Sequence, residues 1–192
     1  MKKFELTNEF ITNMFGTKLF RIRALVEFGD VEAGELGGYV EKESNLGHDD
    51  NAWVYDNAWV YGNARVYGGA QVSGDARVYD NAWVYGDAQV SGDARVCGNA
   101  RVYGDARVCG NGDYAYAHGF GSVNRTTTFF RLKDGGVGVR CGCFYGTLAQ
   151  FRDKIRETHG ESAIAEEYLD LAALMEKRFR RTGNEQKTEE ES

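Results

Sequence analysis

The residues able to do chemistry are few and scattered. Four cysteines (Cys97, Cys109, Cys141, Cys143) and three histidines (His48, His118, His159) are the obvious candidates. Cys141-x-Cys143 has the spacing of half a metal site, to which His118 or His159 would have to be added. A CxC pair lacking a second ligand pair is a weak zinc signal. The same segment alternates as a strand, which puts both thiols beside Val137 and Val139, so core cysteines are the stronger reading. A Cys143/His159 nucleophile–base pair would need distant residues to meet. His48, beside Asp49 and Asp50, reads as a solvated turn residue, and Cys97 and Cys109 as ordinary surface substitutions. No catalytic residue, metal-ligand set or cofactor is expected.

Composition narrows the classes further. The 192 residues are 42% apolar and 27% charged, ordinary for a soluble folded chain. Net charge is -6, part of it in the tail Glu189-Glu190-Glu191, which argues against phosphate-driven nucleic-acid binding. Met1-Lys2-Lys3 is basic but no apolar run follows, so secretion and membrane insertion are both unsupported. Reduced thiols in the cytoplasm are the simplest reading of the cysteines. Twenty-five glycines and no proline mean that turns must be made with Gly, Asn and Asp.

Those turns belong to a repeat. From Asn51 to Gly110 the chain reads as consecutive six-residue units, Asn/Asp-Ala-x-Val-Tyr/Ser/Cys-Gly/Asp. Valine recurs at 54, 60, 66, 72, 78, 84, 90, 96, 102 and 108, with alanine two residues earlier each time. Residues two apart on an extended piece share a face, so Ala and Val point inward together. The corner residue needs a left-handed conformation, open to Gly and tolerable for Asp56 and Asp80. Period six fits neither an α-helix nor a heptad.

On these residues the chain resembles the hexapeptide-repeat family, which implies a left-handed parallel β-helix with three strands per coil. The resemblance implies an 18-residue coil, stacked about 4.8 Å apart. Tyr, Ser or Cys follows the valine here, where the family usually has Gly, Ala or an acidic residue. Many members are coenzyme A-dependent acyltransferases, typically trimers with a catalytic histidine near a loop that interrupts the coils; a few are zinc carbonic anhydrases. This chain has no histidine between His48 and His118 and no insertion in its repeats, so no such residue carries over.

Stacking by 18 sorts the outward residues into three faces. One carries Trp53/Tyr55, Gln71/Ser73, Gln89/Ser91 and Arg107/Cys109; a second carries Trp59/Tyr61, Arg77/Tyr79 and Arg95/Cys97. The third sets Arg65, Trp83 and Arg101 beside Tyr67, Tyr85 and Tyr103. Self-stacking that stiffens the sheet, a subunit or partner interface, and sugar or base stacking all remain open for it. The binding candidates are Arg65, Tyr67, Trp83, Tyr85, Arg101, Tyr103, Trp53 and Trp59. Asp and Arg nearly cancel within the repeats, so mimicry of DNA by an acidic solenoid is not supported. The polar patch Gln71, Ser73, Gln89 and Ser91 reads as solvated.

The expected organisation is an N-terminal cap (1–50), the repeats (51–118), a ββαα domain (119–181) and a disordered acidic tail (182–192). In the cap, Phe10, Ile11, Met14 and Phe15 suit a short amphipathic helix ending at Gly16. Phe20, Ile22, Ala24, Val26 and Phe28 alternate as a strand, and Leu36-Gly37-Gly38-Tyr39-Val40 starts an irregular first coil. Beyond the repeats, Thr126–Leu132 and Val137–Cys143 predict a hairpin around Asp134-Gly135. Thr147-Leu148-Ala149-Gln150 is a capping box opening a helix to about His159. A second helix, from Ser162 to about Arg181, aligns Ile164, Tyr168, Leu171, Met175 and Phe179.

The order of parts, including Leu36–Val40 and Cys141-Gly142-Cys143-Phe144, is similar to small hexapeptide-repeat proteins of phages and prophages of gut Firmicutes. That resemblance implies a protein acting in the host bacterial cytoplasm on a host component, such as a defence system of the CRISPR kind. The leading expectation is therefore a non-enzymatic binding protein, homo-oligomeric and in the family's manner trimeric, with a protein partner and no membrane. A coenzyme A-dependent acyltransferase is the alternative, and a self-assembling structural protein the third.

Overall fold

In the computed structural model, residues 2–121 and 123–190 are described, the side chains of 183–190 excepted. The chain divides into two units, Met1–Asn111 and Gly112–Ser192. The first opens with β1 (Phe4–Thr12), β2 (Lys18–Ala24) and β3 (Leu36–Val40), followed by a single 3₁₀ turn at Glu43–Asn45. Ten short strands, β4 to β13, then form a β-solenoid.

Each solenoid strand is centred on a repeat valine and pairs in parallel with the strand eighteen residues away. One face stacks β4 (Trp53–Val54), β7 (Gln71–Val72), β10 (Gln89–Val90) and β13 (Arg107–Val108). The next stacks β5 (Trp59–Val60), β8 (Arg77–Val78) and β11 (Arg95–Val96), extended at one end by β3. The last stacks β6 (Arg65–Val66), β9 (Trp83–Tyr85) and β12 (Arg101–Tyr103). All the repeat alanines and valines are buried, so the interior is a column of small aliphatic side chains. The corners turn through positive φ: Gly62 at +70° and Gly86 at +72°, with Asp56 at +51° and Asp80 at +60° standing in for glycine.

A parallel ladder leaves unpaired carbonyls on its first strand. Donors from the N-terminal segment meet them here on each face. The Tyr39 N–H, brought by β3, donates to the Ala58 carbonyl at 2.9 Å. Asn45 Nδ2 donates to the Ala64 carbonyl at 2.8 Å and to that of Gly62 at 3.2 Å. Lys3 Nζ donates to the Ala52 carbonyl at 2.8 Å and to that of Asp50 at 3.2 Å. Burial lowers the Lys3 amine to about 8, against the opposing pull of Asp50 and Asp49. The close seat of β3 explains Gly37-Gly38: a Cβ would fall 2.5 Å from the Val54 carbonyl oxygen at 37 and 2.6 Å from that of Ala58 at 38. The solenoid therefore begins ahead of residue 51, inside the segment read as a cap.

The helix predicted over Phe10–Gly16 is instead the end of β1 and the tip of a hairpin with β2. Asn13 Oδ1 accepts the N–H groups of Phe15 and Thr17, each at 2.9 Å, which fixes the turn. Met14 and Phe15 stand at that tip, 88% and 79% exposed, rather than on a packed helix face. The apolar spacing is helical, but pairing with β2 satisfies the backbone and wins. β2 also stops at Ala24; Phe28 makes only an isolated bridge to Val31. His48 is not a solvated turn residue: it stacks on Phe4 at 4.4 Å, and its Nδ1 accepts the Lys3 N–H at 3.2 Å.

The second unit is a four-stranded antiparallel sheet with two helices, not ββαα. Its strands β14 (Tyr114–Phe120), β15 (Arg125–Arg131), β16 (Val137–Cys141) and β17 (Phe144–Thr147) lie in sequence order. The sequence pattern missed β14 and β17, one interrupted by small residues and the other only four residues long. Because β14 pairs with β15, this unit begins at 112 rather than 119. The Asp134-Gly135 turn stands as expected, with Gly135 at φ +83°. Helix α1 (Leu148–His159) starts on the reciprocal bonds of Thr147 and Gln150 and ends at Gly160, φ +57°. Helix α2 (Ala163–Glu190) buries Tyr168, Leu171, Met175 and Phe179 against Phe129, Val139, Phe151 and Ile155. It runs past the stop expected near Arg181, through Thr182-Gly183-Asn184, which are weak helix formers; of the tail, residues 191–192 lie outside the described residues. Among the described residues no helix is long and apolar enough to cross a membrane.

Candidate functional site

Because successive coils are in register, each outward position faces its equivalent one coil away. On the β6–β9–β12 face, Arg101 lies over the Trp83 ring at 4.9 Å and Arg65 at 5.6 Å from the other coil. Beside them Tyr67 and Tyr85 stack at 4.9 Å and 8°, and Tyr103 lies tilted against Tyr85 at 4.5 Å and 38°. Tyr67 also meets Trp83 edge-on at 6.0 Å. Arg65 and Arg101 are exposed, while Trp83 and the three tyrosines are half-buried. Six of the candidate residues are thus brought together as one array of rings and guanidinium groups, each contact contributing about 0.5–1 kcal/mol.

Trp59 belongs to a different face. Arg77 covers its ring at 4.2 Å, and Tyr61 and Tyr79 stack beside it at 5.1 Å and 4°. A hydrogen bond with Cys97, and then burial, push the Tyr79 hydroxyl up to about 12; burial also raises Tyr61. Cys97 is therefore a half-buried partner of Tyr79 rather than a plain surface substitution, whereas Cys109 is exposed.

Trp53 cannot anchor a partner. It is fully buried, with Phe28 edge-on at 5.3 Å and Phe4 at 6.2 Å. The repeat pattern places it outward, but the N-terminal segment folds over that place and makes it core. Further along the same face Gln89 donates to Gln71 at 3.2 Å, so the polar patch is a half-buried amide ladder.

The thiols of the second unit separate. Cys143, predicted in the core, is exposed, because Gly142 at φ +58° turns the chain between β16 and β17. Cys141 stays half-buried, with Sγ 3.2 Å from Thr127 Oγ1 and 3.9 Å from the Tyr168 hydroxyl. His118 pairs instead with Thr126 Oγ1 at 2.8 Å. Among the described residues no three of His, Cys, Asp and Glu are grouped to hold a metal ion.

Sequence reasoning missed a cleft of about 300 Å³ in this unit, lined by Arg125, Cys141, Phe144, Phe151, Lys154, Ile155, Thr158, His159 and Tyr168. Burial, then the neighbouring Cys141, push the Tyr168 hydroxyl up to about 12, and it donates to the Phe120 carbonyl at 3.4 Å. Of the residues that the sequence singles out, Cys141 and His159 line this cleft and Cys143 does not.

Comparison with known families bears on the first unit. Residues 58–72, 70–86, 88–100 and 94–110 match the family described as the YdcK beta solenoid repeat. The matched segments span β5 to β13 and identify a repeat architecture, not an activity. A comparison with curated proteins gives no match.

Proposed function

With the β-solenoid repeat as premise, we propose that this protein is a non-enzymatic scaffold that docks another protein on its β6–β9–β12 face. The observation that carries this reading is the mutual stacking of Arg65, Trp83 and Arg101 beside Tyr67, Tyr85 and Tyr103. Immobilising a rotamer-rich side chain at an interface costs about 0.5–1.5 kcal/mol. Side chains already held by stacking lose little more on binding. Trp, Tyr and Arg are also the types that most often anchor interfaces. An extended array edged by exposed guanidinium groups fits an acidic protein surface better than a small molecule.

Resemblance to hexapeptide-repeat proteins supports the finer reading. The coil is left-handed, the protein is phage-encoded, and its partner is a host protein of the bacterial cytoplasm, a CRISPR-type defence component being the specific candidate. The same face also serves a homo-oligomer, trimeric in the family's manner.

The test compares the tagged chain with its Trp83→Ala/Tyr85→Ala variant in host lysate, alongside sedimentation of each. A stoichiometric partner, or an assembled state, that the variant loses supports the reading. Unchanged partner and unchanged mass in the variant would sink it.

A further inference from the structure

The cleft of the second unit is a site of another kind, independent of the solenoid faces. Part of its lining is aromatic: Phe144 and Phe151 lie 5.4 Å apart, and Tyr168 meets Phe151 edge-on at 5.9 Å. His159 stacks on Tyr168 at 6.0 Å. Two cations, Arg125 and Lys154, also line it. They differ in their partners. Lys154 is paired with Glu157 at 2.9 Å, and Glu167 accepts the Gly121 N–H at 2.8 Å. Arg125 makes no ion pair among the described residues.

Arg125 lies beside a turn of the sheet. Its Nη1 occupies the space that a Cβ at position 142 would take, so the guanidinium lies across the turn that Gly142 makes between β16 and β17. The positive φ of that glycine, +58°, is what disfavours a side chain there. A volume near 300 Å³ with a mostly apolar lining and a few polar groups is the usual form of a small-ligand site.

We propose that this cleft binds a small organic anion, its aromatic or branched body against Phe144, Phe151, Ile155 and Tyr168 and its carboxylate, sulfonate or phosphate at Arg125. The Tyr168 hydroxyl, neutral across the physiological range, and the Thr158 hydroxyl add uncharged polar groups. Cys141 sits in the wall and serves as a reporter of occupancy rather than as a reactive centre.

The test uses the full chain with Cys97, Cys109 and Cys143 changed to Ser, leaving Cys141 as the one thiol. The probe is 8-anilinonaphthalene-1-sulfonate, an aromatic anion, with neutral N-phenyl-1-naphthylamine as its counterpart. Saturable binding of the anion is expected to slow iodoacetamide labelling of Cys141 severalfold. Arg125→Gln is expected to weaken the anion about tenfold, the cost of one charge-assisted contact, while leaving the neutral probe unchanged. Binding that leaves Cys141 labelling untouched would place the probe elsewhere, for example at Met14 and Phe15, and would overturn the proposal. So would equal weakening by Arg180→Gln, or the lack of saturable binding.

Discussion

The two units bury their apolar residues by opposite strategies. In the solenoid every layer repeats the last, so one small residue and one medium residue fill the interior and no single side chain is decisive. In the C-terminal unit the core is assembled once, from Phe129 on β15, Phe151 on α1, and Tyr168 and Phe179 on α2, with no repeated layer. Repetition gives an interior with interchangeable layers and long outer ladders. A single aromatic core gives concentrated stability and leaves a cleft where its parts meet.

The contrast is sharpest where the solenoid stops repeating. Gly38→Val would put a side chain against the Ala58 carbonyl, where a Cβ alone comes within 2.6 Å. It should displace β3 and cost about 4 kcal/mol or more, read as loss of the first unit's unfolding transition with the second unit's helices retained. Joint collapse of both would show that the units are not energetically separate. Phe129→Ala, at a fully buried position, should cost about 3–5 kcal/mol in the second unit's transition alone. Val84→Ala, equally buried, should cost only about 2 kcal/mol, and Val66→Ala or Val102→Ala about the same. A spread among the three valines as wide as that between Val84 and Phe129 would break the idea of interchangeable layers.

The smallest effect concerns the ladder end held by Lys3. Its amine titrates near 8 when folded and near 10.5 when free, so between those values the unfolded chain binds the extra proton. Stability of the first unit should therefore rise from pH 8 to pH 10, and Lys3→Met should flatten that slope in urea titrations. Above pH 10 the sign reverses, since Tyr61 and Tyr79 hold their protons longer in the folded state. A slope unchanged in Lys3→Met would mean that the buried amine is not its source.

How much was legible follows the same division. The six-residue period placed every solenoid strand, assigned outward residues to their faces, and anticipated the positive φ of Asp56 and Asp80. Those features depend only on neighbours in sequence and on stacking of like on like. The Arg65–Tyr103 array followed, because a register of eighteen residues fixes which side chains touch. Trp53 was misplaced because its burial depends on Phe4 and Phe28, which the repeat does not encode. The Phe10–Phe15 segment was misread because a strand partner, not local spacing, satisfies its backbone.

The sequence by itself determined the solenoid, its corners, its aromatic–Arg ladders, and the helix opened by Thr147 and Gln150. Periodicity and capping are local, and the chain writes them out in order. Only the tertiary structure decided that Lys3 and Asn45 close the ladders, that Cys141 and Cys143 part company, and that Arg125, Cys141 and His159 share a cleft. The ladder ends and the cleft join residues far apart in the chain, and such meetings are set by packing rather than by pattern; the cysteines part at the Gly142 turn between two paired strands.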